Sequence, residues 1–600
     1  MPRPKGNDVT LGEVVGTGQS LVFPRESRDK HLYVAGATGT GKSKFLESLI
    51  RQDIRGWFKS KCGMLLLDPH GSLYDSLMEW LASADATRLP IVPIDLRQDE
   101  WVISYNALRR RSAADCSVVI DNFVQAMAHV WGAAGTDHTP RFARWATNIL
   151  RTLYENDLTL LEAEYLIDHL DRAARHALSQ NVQDRASKRD WQFANQLTPR
   201  DFEAEIGSTA NRLHRFLRNN HMRSMFGHSR VSLDLRTALD EGQIILVSLA
   251  SAGARVSEED ADLFATLLLS DLWTAALERG KRPGVKPFYV YLDEFQRFVT
   301  PTIASNLDEA RGFGLHLTMA NQYPQQLLDR GEQGMRLYHS VMENASSKAV
   351  FRLHSEENLK PLAQWLFRGV MDPDEIKLTL EGTKVLGYEE VERMSRTSGS
   401  SRARSVTATE GDSASSGTAE SLGMSRSEGW STRVNTGEWN LAFQRQDGLG
   451  ESSGSQSGSS AAHHESVASS EGETHTYSET VSSALVPVMG KELSHVQFRS
   501  LEEQLHRAMA ALFDQEQREG VARLVGMRAP ASIRTPTVKD RKAPPEAVRR
   551  YSAKLLAKWD FALPAAQSAS ELAERERRLE MQLRQAAGDE PDTASRRIVP

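Results

Sequence analysis

His31-Leu32-Tyr33-Val34-Ala35-Gly36-Ala37-Thr38-Gly39-Thr40-Gly41-Lys42-Ser43, HLYVAGATGTGKS, is the stretch from which the rest of the chain can be read. Its apolar start predicts a buried strand, and Lys42–Trp57 continues with helical periodicity. Between them Gly36 to Ser43 fit G-x-x-x-x-G-K-[ST]. Glycines there let backbone N–H groups turn toward an anion, and the following helix aims its N-terminus at the same point. Lys42 is placed to reach phosphate oxygens and Ser43 to ligate Mg²⁺. Gly36, Ala37, Thr38, Gly39, Thr40, Gly41, Lys42 and Ser43 are therefore the expected nucleotide contacts. A plain glycine turn is the weaker reading, because strand and helix flank the motif.

Working outward, MLLLD and IVPID repeat the strand pattern, with helical stretches between them. QIILVSL, FYVYLDE, LHLTMAN and SKAVFRL resume it later. Continuous apolar strands alternating with helices imply a mostly parallel sheet covered on both faces. The expected fold is α/β, with a P-loop core spanning 1–112 and 239–394. An all-helical domain at 113–238 interrupts it, where FARWATNILRTLYE and STANRLHRFLRNNHM carry helical periodicity. Residues 395–485 are rich in Ser, Gly, Thr and Glu, with no Lys between Lys384 and Lys491, and read as disordered. Trp430, Trp439 and Phe443 are too sparse there for a core, and WSTRVNTGEWNLAF offers a recognition strip as the alternative. Residues 486–540 bring back a helix and strands of the core, and 541–600 form a polar, partly helical tail.

FYVYLDEF ends a buried strand on Asp293-Glu294, at the strand tip where α/β folds bind ligands. Asp293 is the expected Mg²⁺ partner and Glu294 the group that polarises a lytic water; a helix cap is the plain alternative for Glu294. The pair narrows the loop to ATP hydrolysis. EARGFGLHLTMANQ places Arg311 before a strand and Gln322 after it. A strand of that length spans roughly 20 Å, so both cannot serve one nucleotide. Gln322 is read as acting in cis, and Arg311 as an arginine finger to a neighbouring copy or else a helix C-cap. Asp68 in LLLDPHG is assigned a structural or phosphate-neighbouring role.

The 600 residues allow two to four domains; 40% are apolar and 25% charged, the balance of a globular chain. A net charge of −6 decides nothing about nucleic acid, because a DNA-binding face is local. Two cysteines, Cys62 and Cys116, make neither a disulfide framework nor a Cys-rich zinc site, which fits a reducing compartment. His463-His464 lacks partners at ligand spacing. No apolar run reaches the roughly 18 residues of a membrane span, and MPRPKGNDVT is no signal peptide. A cytoplasmic location is expected.

HLYVAGATGTGKS, LLLDPHG, YVYLDEFQRF, EARGFGLHLTMANQ and NASSKAVFRL together resemble the successive blocks of type IV coupling proteins. These are TraD/TraG-like ATPases of conjugation and secretion, within the FtsK–HerA class of hexameric DNA pumps. SYNALR resembles that family's Asn-Pro-Leu segment, with Ala107 in place of Pro. The resemblance covers about Leu11–Glu392 and, more weakly, Val496–Val538. It implies a RecA-like P-loop core, ATP and Mg²⁺ as cofactors and DNA translocation as the activity. The implied partners are DNA, further copies in a hexamer, and a membrane-associated secretion or mobilisation complex. It carries those roles to Lys42, Ser43, Asp293, Glu294, Arg311 and Gln322. Unlike membrane coupling proteins, which begin with transmembrane helices, this chain reaches its phosphate loop by residue 36.

Arg212, Arg215, Arg218 and Arg223, interleaved with His214 and His221, read either as a DNA-phosphate face or as a solvated helix face. Arg109–Arg111 poses the same alternative. Two other functions remain open: a related motor that moves protein cargo, and a nucleotide-dependent scaffold. The Asp293-Glu294 pair argues against the scaffold, since a switch has no need of a water-activating base.

Overall fold

The computed structural model describes residues 8–110, 116–131, 140–250, 255–280, 284–300, 303, 307–406, 417–430, 450–458, 469–540 and 542–586. The chain divides into two compact units, Met1–Asp372 with Ser500–Pro600, and Pro373–Arg499. The first unit begins with β1 (Val9–Val14), β2 (Ser20–Phe23) and β3 (Leu32–Ala35), followed by the helix Lys42–Ser60. Next come β4 (Gly63–Asp68), β5 (Ile91–Asp95) and the short β6 (Trp101–Ile103). A run of helices leads to β7 (Ile244–Ser248), β8 (Phe288–Asp293), β9 (Leu315–Asn321) and β10 (Ser347–Phe351).

The second unit holds β11 (Ile376–Val406), β12 (Gly417–Trp430), β13 (Gly450–Gly458) and β14 (Ser469–Phe498), in the antiparallel order β13-β12-β11-β14. The span 395–485, read as a disordered insertion, lies within this second unit and so interrupts the first one, its described residues being paired in these strands. Backbone pairing sustains this sheet. Thr and Val recur along β11 and β14, and ladder hydrogen bonds need no apolar core, so low hydrophobicity does not exclude them. Trp439, Phe443 and His463-His464 lie outside the described residues.

The chain then re-enters the first unit with the helix Leu501–Phe513, β15 (Glu519–Arg523), β16 (Ala531–Arg534) and β17 (Ala562–Pro564). Its main sheet runs β2-β1-β16-β15-β10-β3-β9-β8-β4-β7-β5. The seven strands from β10 to β5 are parallel, and the other four add an antiparallel edge. Every residue of β3, β4, β7, β8, β9 and β10 is buried. The period-two pleat divides β4 between two cores: Leu65 and Leu67 face one, Met64 and Leu66 the other. Strands buried on both faces therefore appear in sequence as unbroken apolar runs.

Between β6 and β7 the described residues are helical, including Cys116–Trp131, Pro140–Glu155 and Pro199–Leu217. The C-terminal segment read as a polar tail is packed in. β17 pairs with β6, the helix Ala565–Ala586 buries Leu572 and Leu583, and Arg575 Nη2 lies 2.9 Å from buried Glu162. Its apolar residues are too few to be noticed in sequence, but one helical stripe is enough to dock. Among the described residues no helix is long and apolar enough to cross a membrane.

Candidate nucleotide site

The loop Gly36–Ser43 leaves the tip of β3 between its two neighbours. Gly36 N–H donates to Asn321 O at the end of β9 (3.3 Å), and Ala37 N–H to Arg352 O beyond β10 (3.1 Å). Thr40 Oγ1 closes the turn on Ala37 O at 2.7 Å. Gly41, at φ +111, opens the helix from a conformation other residues rarely adopt. At Gly36 a Cβ would stand 2.7 Å from that of Phe351, so no larger residue fits under the loop.

Lys42 is 7% exposed and directed at the tip of β8. Its Nζ donates to Glu294 Oε1 at 2.8 Å and lies 3.2 Å from Asp293 Oδ1. The strand order explains the meeting: β9 lies between β3 and β8, so loop and carboxylates face each other across one strand. Glu294 takes a left-handed conformation (φ 49, ψ 49), which costs a side-chain-bearing residue roughly 1–2 kcal/mol. Such strain is common where a fold holds a functional side chain in place. Gln296 Nε2 donates to Glu294 Oε2 at 2.9 Å. Burial pushes the Asp293 carboxyl above its usual range, the Lys42 charge opposing this and the Glu294 charge adding to it. Asp293 Oδ1 is buried beside the Lys42 ammonium, with no other hydrogen-bond partner among the described residues.

The family described as "Helicase HerA, central domain" matches residues 9–272. Over that span, less than half of its length, the chain is similar to that domain. The match includes the phosphate loop and ends before β8. Among solved structures, the chain is similar to the bacterial conjugative coupling protein TrwBdeltaN70, with 13% identity over 90% of this chain and 91% of that one and a TM-score of 0.44. The plasmid coupling protein TrwB in complex with the ATP analogue ADPNP gives 14%, 90%, 92% and 0.44. VirB4 of Thermoanaerobacter pseudethanolicus gives 15%, 61%, 89% and 0.42. No curated protein matches the sequence.

Gln322 stands half-buried just past β9, the strand between those of the loop and the carboxylates, its N–H donating to Gln326 Oε1 at 3.1 Å. Arg311 is at the far end of the same seven-residue strand, 56% exposed, with Nε 2.7 Å from Asp29 Oδ2. It does not join the Lys42–Glu294 cluster. Asp68 is fully buried, and its oxygens accept from the N–H groups of His70 (3.0 Å) and Tyr74 (2.9 Å). This ties the carboxylate to the start of the helix Ser72–Ser83, a structural role.

The basic stripe is partly neutralised. Arg212 donates to Ser208 Oγ at 2.8 Å and lies over the Phe142 ring, Arg215 pairs with Glu259, and Arg223 bridges Glu164 and Glu576. Arg218, at the C-cap of Pro199–Leu217, is exposed. Arg109 faces Asp234 at 3.9 Å and Arg110 binds Tyr154 O at 2.8 Å; Arg111 lies outside the described residues.

Sequence reasoning missed Asn321, Tyr33 and the turn at Gln517-Arg518. Asn321 Oδ1 accepts from Tyr33 Oη at 2.9 Å, locking the β9 tip to β3 beneath the loop. The motif MANQ drew attention to its last residue, yet the buried amide is the one before it. Nothing in the sequence around Gln517 marks it, because its partner lies 478 positions away.

Proposed function

We propose that this chain is an ATP-hydrolysing motor that works as a ring of copies and moves DNA. One observation carries the chemistry: a buried Lys42 poised against the Asp293-Glu294 pair, one strand away from its own loop. The residues suit a magnesium nucleotide. A Cβ on Gly39 would meet nothing within 4 Å, so there is open space beside the loop, and Asp293 Oδ1 at the same place has no hydrogen-bond partner besides the neighbouring Lys42 ammonium among the described residues. Bound magnesium-ATP would supply the phosphoanhydride to be cleaved and the metal that offsets its charge. Ser43 and Asp293 would hold the metal, and the backbone of Gly36–Gly41 and Lys42 the phosphates. Glu294 Oε1 now accepts from Lys42; with Lys42 engaged on phosphate, that oxygen is free to take a proton from water. Gln322 would orient the water.

The placement of Arg311 supports action between copies. It is exposed at the opposite end of β9, roughly 20 Å from Gln322, too far to serve its own loop. In a ring it would serve a neighbour's site, where such a residue contributes about 10³–10⁵ in rate. The choice of DNA rests on the HerA-class match and on the resemblance to coupling proteins; cytoplasmic action and docking on a membrane-associated complex belong to the same reading.

ATPase rates with and without single- and double-stranded DNA, alongside solution mass with ATP, test this. The expected result is stimulation that falls with salt, by roughly one log-log slope unit per phosphate contact, in an assembly of several copies. Hydrolysis indifferent to both DNAs at low salt would rule out the DNA motor and favour protein cargo.

A further inference from the structure

The phosphate loop is held from outside as well as from its own strand. After the helix Leu501–Phe513 the chain turns through Gln515–Arg518 and passes against the loop. Arg518 N–H donates to Thr40 O at 2.9 Å, and Gln517 Nε2 donates to Gly39 O at 3.1 Å. The approach is close: a Cβ on Gly41 would stand 3.2 Å from Arg518 Cα. Arg518 holds φ +73, a left-handed conformation that a non-glycine residue adopts only when its surroundings impose it. Those surroundings are fixed. Thr535 N–H donates to Arg518 O at 2.9 Å, Arg518 Nη2 donates to Thr535 O at 2.6 Å, and Gln515 Nε2 donates to Val350 O of β10 at 3.2 Å.

In a planar trans peptide the C=O and the next N–H point in opposite directions. Pulling Thr40 O outward therefore turns Gly41 N–H the other way. Pulling Gly39 O outward sets Thr40 N–H, which closes the loop on Ala37 O at 3.3 Å. We propose that Gln517 and Arg518 are positioning residues of the nucleotide site, holding the Gly39 and Thr40 carbonyls so that the loop keeps its phosphate-binding shape. This rests on reading Gly36–Ser43 as that site. By linkage, phosphate on the loop tightens the turn in return, so residues 515–518 register its occupancy.

The test is binding of a fluorescent ATP analogue to the full chain, with melting of the unliganded protein in parallel. Gln517 is exposed, so Gln517→Met should melt like the parent. It should raise Kd about three- to tenfold, the reach of one hydrogen bond. Hydrogen exchange at the Arg518 amide should slow when the analogue binds. Parental affinity in Gln517→Met, or unchanged exchange at Arg518, overturns the proposal. Lys42→Met in the same assay judges the loop itself: undiminished binding there refutes the nucleotide site, whatever Gln517 does.

Discussion

Replacing Lys42 by Met tests the arrangement at its centre. The substitution nearly preserves volume, so its cost is electrostatic. Lys42 Nζ lies 2.8 Å from Glu294 and 3.2 Å from Asp293, with the three side chains between 5% and 8% exposed. Removing one partner of a buried ion pair costs about 3–5 kcal/mol, because the remaining charge is left without compensation. Here two like charges remain side by side, and burial already raises the Asp293 carboxyl. Without Lys42 the Asp293 carboxyl relieves the cost by holding a proton. Its folded pKa, already raised by burial, exceeds the unfolded one, so stability is lost as pH rises through the raised value. Chemical denaturation should show a deficit of about 3 kcal/mol at pH 7.5 and a smaller one at pH 5. Adding Glu294→Gln should recover part of it, with a coupling of roughly 1–3 kcal/mol in the double-mutant cycle. Additive single effects, or a deficit that grows toward pH 5, would refute the reasoning.

Two further outcomes are expected. Arg311→Ala should bind ATP yet hydrolyse slowly, and Glu294→Gln should bind and stall; mixing the two should restore part of the turnover, at sites pairing an intact Glu294 with an intact Arg311. Normal hydrolysis by Arg311→Ala alone removes the between-copies role. His316 is buried in β9, and burial, with the charges of Arg28, His31, Arg25 and Arg311, lowers its pKa to about 3. The unfolded chain therefore binds the proton first, and stability should fall as pH drops from about 6.5 toward 3, by at most about 1.4 kcal/mol per unit. His316→Gln should flatten that slope in denaturation midpoints, and an unchanged slope would show that other groups set it.

The sequence by itself determined the strands that matter most. β3, β4, β7, β8, β9 and β10 are buried on both faces, and double burial demands the apolar runs that make them legible. The phosphate loop was equally plain, because glycine, lysine and serine at fixed spacing are a local chemical requirement. Tertiary structure decided what those elements face. Strand order placed β9 between β3 and β8, and that order brings Lys42 to Glu294. The strands inside 395–485 were illegible because a ladder is held by backbone groups that every residue carries. The packed C-terminal helix and the turn at Gln517-Arg518 were hidden for a related reason: their contacts cross hundreds of positions and use one or two side chains, leaving no period to read. Local chemistry is written in neighbouring residues, whereas the closure of a site depends on which distant segments the folded sheet brings together.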